Sequence, residues 1–353
     1  MQKTLRDLLF IISLGLLLTA CSQGSSKRTA LPDITTTSKP ETMDATSTPM
    51  PTLLPSPIDP LEFGSELAEQ VDIQRLMSDV NWLANDKRRG RRTGSPEENL
   101  VGKWIMYRFQ DLSLVPFAEA GLDSFLQAFQ TNLGQGENVI GVLPGTTYPN
   151  SFVLLGAHYD HLGVSESGQV YNGADDDATG VAAVLEAAKL LSGARYKPQE
   201  TIVFVAFSGE EMEYLGSSAL CEQLKNGGLV ENSMLLNLEV LGAIKGKGTF
   251  LDVFDEGDST TLPLVEAVER AGEKLDFPVK RLGVDPGSDA IEMLKCGIPA
   301  STIDVAWSFD NHPNLHDPSD DPEFIDESGL ENAARVAVAA IWFLANDGQV
   351  TNR

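Results

Sequence analysis

Residues 151–157, Ser-Phe-Val-Leu-Leu-Gly-Ala, with His158 directly behind them, decide how the rest of this chain is read. An unbroken apolar run this short fits a strand buried on both faces, and such strands belong to sheets covered by helices on either side. Two runs of the same kind follow at Thr201–Phe207 (TIVFVAF) and Met234–Val240 (MLLNLEV), and Phe250–Phe254 and Ser301–Ala306 read as further strands. Between the first two, Ala178–Ser192 sets Val181, Val184, Leu185, Ala188 and Leu191 on one helical face. Leu262–Lys274 and Leu330–Asn346 also read as helices. Strands alternating with amphipathic helices predict an α/β fold: one domain, residues 61–353, with a central, mostly parallel (mixed) sheet flanked by helices. No internal repeat and no second linker divides it.

The 353 residues carry 51 acidic against 26 basic side chains, a formal charge of −25. Residues 1–60 are balanced, so the whole excess lies in the predicted domain. That excludes a general nucleic-acid binder, which needs a basic footprint. Lys87, Arg88, Arg89, Arg91 and Arg92 are the one basic cluster. They read as a solvated loop, with a substrate-carboxylate site as the alternative. Three cysteines are too few for a disulfide-built scaffold.

The N-terminus reads as an address. Lys3 and Arg6 precede the apolar run Leu8–Leu18, which is too short for a stable bilayer span and fits a secretory signal peptide over residues 1–20. Its ending, Leu18-Thr19-Ala20-Cys21, resembles the bacterial lipobox, in which the cysteine is lipidated and becomes the first mature residue. The expectation is an exported protein of a bacterial cell envelope, lipid-anchored at Cys21 and meeting the membrane only through that anchor. Ser, Thr and Pro fill 21 of the 39 positions from 22 to 60, the composition of a disordered tether. Cys221 and Cys296 remain, and the sequence leaves open whether they pair or stay as buried thiols.

All four histidines fall in two clusters, His158 with His161 and His312 with His316. His158 follows a predicted strand, and the carboxyl ends of strands are where open α/β sheets bind ligands. Carboxylates recur at equivalent places: Asp175-Asp176-Asp177 at a helix start, Glu210-Glu211 after the strand ending at Phe207, and Glu239 closing an apolar run. Helix capping explains any one acidic helix start. A carboxylate ending a buried strand is costly unless paired or metal-bound. Imidazoles and carboxylates gathered along one sheet edge are the donor set of zinc.

The motifs GAHYDHLG, GADDDATG, FSGEEMEYLGS, NLEVLG, GSDA with GIPA, and NLHDPSDD resemble, in order and spacing, the co-catalytic two-zinc exopeptidases that include bacterial aminopeptidases, aminopeptidase Y and glutamate carboxypeptidase II. The resemblance covers roughly residues 70–345, and Gly90-Arg91 with Gly94-Ser95 matches an upstream element of that family. It implies a metal-dependent aminopeptidase with two zinc ions, acting on peptides with a free N-terminus. His158, Asp176, Glu211, Glu239 and His316 would be the metal ligands, with Asp176 bridging. Glu210 would be the general base, Asp160 would orient His158, and the Asp176–Asp177 peptide would be cis. The family usually has Asp at the position of Glu239 and His at that of Ala290, and Leu114–Gly136 is too short for the protease-associated domain of some relatives. The alternatives are a single-zinc glutaminyl cyclase of the same fold and a non-catalytic binding module. The sequence points to no protein partner.

Overall fold

The computed structural model describes residues 58–348; the leader, Cys21 and nearly all of the expected tether lie outside them. In chain order come α1 (Pro60–Ala68), α2 (Ile73–Leu83), α3 (Pro96–Asp111), β1 (Leu126–Gln130), β2 (Gln135–Leu143) and β3 (Tyr148–His158). A small hairpin of β4 (Gly163–Val164) and β5 (Val170–Tyr171) precedes α4 (Thr179–Ser192), β6 (Glu200–Phe207), α5 (Leu215–Gly227) and β7 (Ser233–Leu238). The chain ends with β8 (Leu251–Phe254), α6 (Leu262–Lys274), β9 (Val279–Leu282), α7 (Asp289–Lys295), β10 (Ala300–Val305) and α8 (Glu327–Leu344).

Eight strands form one sheet in the order β1-β2-β6-β3-β7-β10-β8-β9. Its middle, β6-β3-β7-β10, is parallel, with antiparallel pairings on either side of that block. This is the expected α/β, mostly parallel architecture. The apolar runs are unbroken because both faces are covered. Val153, Leu155 and Ala157 of β3 and Ile202, Phe204 and Ala206 of β6 join a large core with α1–α4, α6 and α8. Phe152, Leu154, Val203, Val205 and Phe207 point the other way, into a smaller core with α5 and α7. In the large core α1 lies so close to α8 that a Cβ on Gly64 would sit 2.9 Å from the Ala339 carbonyl, and Phe63 meets Trp342 edge-on at 5.1 Å.

Boundaries shift for local reasons. α8 starts a turn before the predicted Leu330 because the Asp326 carboxylate caps the Gly329 N–H at 3.0 Å. β7 stops at Leu238, and Val240 turns away with φ 40°, leaving Glu239 at the strand's exit. Cys221 and Cys296 are joined in a disulfide between α5 and the end of α7 (Cα–Cα 6.0 Å). The Asp176–Asp177 peptide is cis.

Candidate metal centre

The parallel block brings the sequence motifs to one edge. His158 is the last residue of β3, Glu210 and Glu211 sit in the turn after β6, and Glu239 directly follows β7. Asp175–Asp177 form the tight turn before α4, and His316 lies in the loop after β10. This is the carboxyl end of the strands, the position the sheet topology favours for a ligand.

Asp176 lies at the middle. Its Oδ1 is 3.0 Å from His158 Nε2, and that nitrogen is also 3.0 Å from Glu239 Oε1. Its Oδ2 is 3.1 Å from His316 Nε2, which is 3.5 Å from Glu211 Oε2. The five residues expected as ligands thus converge as two triads sharing one carboxylate. His161 and Asp177, which sequence reasoning left without a role, complete the cluster. His161 Nδ1 is 2.7 Å from Glu211 Oε1, and Asp177 closes a second possible group with His158 and Glu239.

Around the triads the supports are specific. Arg91 is fully buried, and its guanidinium donates to the carbonyls of Tyr159 (2.6 Å), Gly173 (2.7 Å), Asp176 (3.2 Å) and Asn172. It therefore ties the His158 motif to the Asp176 turn, which corrects the reading of this residue as part of a solvated loop. A planar fork meeting several carbonyls is a task lysine cannot perform. Asp320 accepts the N–H groups of Asp175 and Asp176 at 2.9 and 3.1 Å. His312 links the His316 loop to the same turn, with Nδ1 2.5 Å from Asp175 Oδ2 and Nε2 2.7 Å from the Val305 carbonyl. Asp160 approaches His158 Nδ1 with its carbonyl at 3.2 Å and its carboxylate at 3.7 Å. That carboxylate also accepts from Thr93 Oγ1 (2.7 Å) and from the Glu210 N–H (3.2 Å).

Burial sets the charges. Burial opposes ionisation of Asp176, yet the imidazoles of His161, His158 and His316 hold it well below the usual carboxylate range. Hydrogen bonding to Asp176 lifts His316 to about 9. Burial pushes Glu239 up to about 6 and Glu210 well above its ordinary value, against the pull of His158 in both cases. Dications at the centre would reverse this carboxylate logic by favouring the ionised forms.

The residues fit such ions. Both ring nitrogens of His161, Glu211 Oε1 and Asp177 Oδ2 are buried without a hydrogen-bond partner, although His161 Nδ1 and Glu211 Oε1 nearly touch. Buried polar atoms are normally paired. Donor atoms that crowd together without bonding each other are arranged for a shared cation, and two imidazoles with three carboxylates suit zinc. A cavity of about 360 Å³ opens onto the centre, lined by Asp176, Glu210, Glu239 and His316 among others.

The sequence contained a signal for His161, as the second histidine of GAHYDHLG, and for Asp177, inside the acidic triplet. Asp304, buried in the predicted strand Ser301–Ala306, had the same signal as Glu239, a carboxylate in an apolar run.

The sequence model of peptidase family M28 matches residues 138–341, more than half of the chain, and the chain belongs to that family. It is 30% identical over 232 residues to a probable zinc metalloprotease of Pyrenophora teres f. teres (strain 0-1), covering 59% of this chain and 48% of the relative. The chain spans about half the length, or less, of such curated relatives. Among solved structures, a zinc aminopeptidase from Bacillus subtilis superposes with TM-score 0.64 at 17% identity, covering 78% of this chain and 96% of that one. The glutaminyl cyclase of Porphyromonas gingivalis superposes with TM-score 0.63 at 19% identity, covering 76% and 97%. At these identities the likeness establishes the fold.

Proposed function

We propose that the chain is a metal-dependent aminopeptidase holding two zinc ions. His158, Asp176 and Glu239 would bind one, and Asp176, Glu211 and His316 the other. The observation that carries this reading is the placement of the Asp176 carboxylate, one oxygen against His158 and the other against His316. A bridging carboxylate serves two ions, and this favours the aminopeptidase over a single-zinc cyclase. Bound there, zinc supplies Lewis-acid polarisation of the scissile carbonyl and makes water easier to deprotonate.

The chain's own residues do the rest. Glu210 lines the cavity beside the triads and its side chain has no hydrogen-bond partner among the described residues, so its carboxylate is available to take a proton from the attacking water and deliver it to the leaving amine nitrogen. The backbone of Glu210 is held by Asp160 through its N–H, and Thr93 fixes the other oxygen of Asp160. Asp160 thus steadies both His158 and the base.

A peptide-library digest by the zinc-loaded protein, with products read by mass, tests the reading. Single residues lost from the N-terminus, and no loss after chelation, support it. Internal cleavage, or loss of ammonia from N-terminal glutamine as the only change, refutes it.

The lipobox-like ending at Cys21 also supports a lipid-anchored place in a bacterial cell envelope, and the Cys221–Cys296 disulfide fits an oxidising compartment. Among the described residues no helix is long and apolar enough to cross a membrane. Cys21→Ser should release the protein into the soluble fraction or block its processing; unchanged attachment would refute the anchor.

A further inference from the structure

Beyond the metal centre, the cavity holds one carboxylate that the protein does not answer. Asp304 and Thr302, two apart on β10, both line it, while Ile303 and Val305 face the large core. Asp304 is 2% exposed, and its Oδ1 has no hydrogen-bond partner among the described residues. Its cross-strand neighbour on β8 is another buried acid, Asp252, whose Oδ2 accepts the Trp307 N–H at 2.7 Å. Asp285, also on the cavity wall, is by contrast saturated: Ser288 Oγ and Thr302 Oγ1 lie 2.6 Å from its Oδ2, and the Gly287 N–H lies 2.9 Å from its Oδ1. Among the described residues no lysine or arginine lines the cavity. A buried carboxylate without a donor is costly, and at the wall of an open cavity the missing donor is most simply a ligand.

We propose that Asp304 receives the cationic side chain of an N-terminal lysine or arginine, so that basic N-terminal residues are the preferred substrates; this rests on the aminopeptidase reading above. The neighbouring wall suits the rest of such a side chain. Trp307 and Phe309, with ring centroids 5.9 Å apart, and Leu315 offer apolar surface along which a methylene stem can lie while its charged end reaches the acid. The zinc ligands need their carboxylates for the metal, Glu210 is needed for proton transfer, and Asp285 is already satisfied, so Asp304 is the acid left on the cavity wall for a substrate cation.

Lysine and norleucine p-nitroanilides, which differ by the side-chain ammonium, provide the test on the zinc-loaded full chain. The ratio of their kcat/KM values, taken within one preparation, is independent of the fraction folded. The expected ratio favours lysine by about 10- to 100-fold and collapses towards one in Asp304→Asn, with most of the change in KM. A ratio near one in the wild type, or one unchanged in the variant, overturns the proposal. So does an equal loss on both substrates, which would assign Asp304 to the α-ammonium group. If neither substrate is cleaved, the aminopeptidase reading fails. Calorimetry with lysinamide and norleucinamide then judges the subsite: a lysinamide preference lost in Asp304→Asn supports it, and equal binding overturns it.

Discussion

Glu98, on the buried face of α3, should make the protein's stability fall as pH rises. Its Oε1 lies 2.8 Å from both Tyr159 Oη and Ser208 Oγ, and the Glu137 and Gly94 N–H groups each approach a carboxylate oxygen at 3.3 Å. Tyr159 has one hydroxyl proton but two acceptors, Glu98 and the Glu137 carbonyl at 2.7 Å. A protonated Glu98 resolves that conflict by donating to Tyr159 Oη itself. Burial pushes its carboxyl from 4.5 up to about 7, against its hydrogen bonds to Ser208 and Tyr159. Because the folded value is the higher one, the folded chain keeps a proton that the unfolded chain has already released. The group costs nothing well below pH 4.5, and its cost grows until the pH passes about 7, reaching about 3 kcal/mol. About 2.5 kcal/mol of that falls between pH 5 and pH 8. Glu98→Gln keeps a neutral side chain of the same shape at every pH. Urea unfolding of both proteins at the two pH values, with chelator throughout, should therefore show the variant gaining about 2.5 kcal/mol on the wild type as pH rises. A difference that is the same at both pH values would refute the neutral Glu98.

The adjacent glutamates should fail differently. Glu210→Gln should keep near-normal zinc content while kcat falls about 10²–10⁴-fold, because only the base is lost. Glu211→Gln should lose metal first and recover in part with added zinc, as measured by zinc per chain and kcat with and without supplement. Removing the Cys221–Cys296 bridge, which closes a sequence separation of 75, should cost about 4 kcal/mol in the chain-entropy picture; urea unfolding of the double serine variant checks this. Gly180→Ala would place a Cβ 2.4–2.8 Å from the Asp177 carboxylate, which now accepts the Gly180 N–H at 3.0 Å. Its zinc content should drop, and a fully loaded variant would show that Asp177 is dispensable.

Sequence reading succeeds here where one local signal suffices. Strands β3, β6 and β7 stand out because both their faces are covered, and the acids or histidine at their ends stand out against them. β1 and β2 escape notice because their ends carry exposed polar residues such as Gln130 and Gln135, and β9 because all four of its residues are at least partly exposed. α3 was legible in principle, from Val101, Ile105 and Phe109 at four-residue spacing, but its polar N-terminal half hides it. Arg91 is the instructive failure. Its acceptors lie 68 to 85 positions further along the chain, so local charge and spacing do not separate a buried guanidinium from its exposed neighbour Arg92, and only its place in the Gly90-Arg91 and Gly94-Ser95 element sets it apart.

The shared carboxylate has a consequence for timing. Asp176 and His158 lie near the middle of the chain, whereas His316 emerges only after β10, on a loop held by His312 and Asp320. That loop gains its far anchor only when α8 packs onto α1, an element from the opposite end of the described chain. The second triad therefore closes last, after every strand of the sheet exists. A site assembled in this order stays incomplete until the last helix of the described chain has been made.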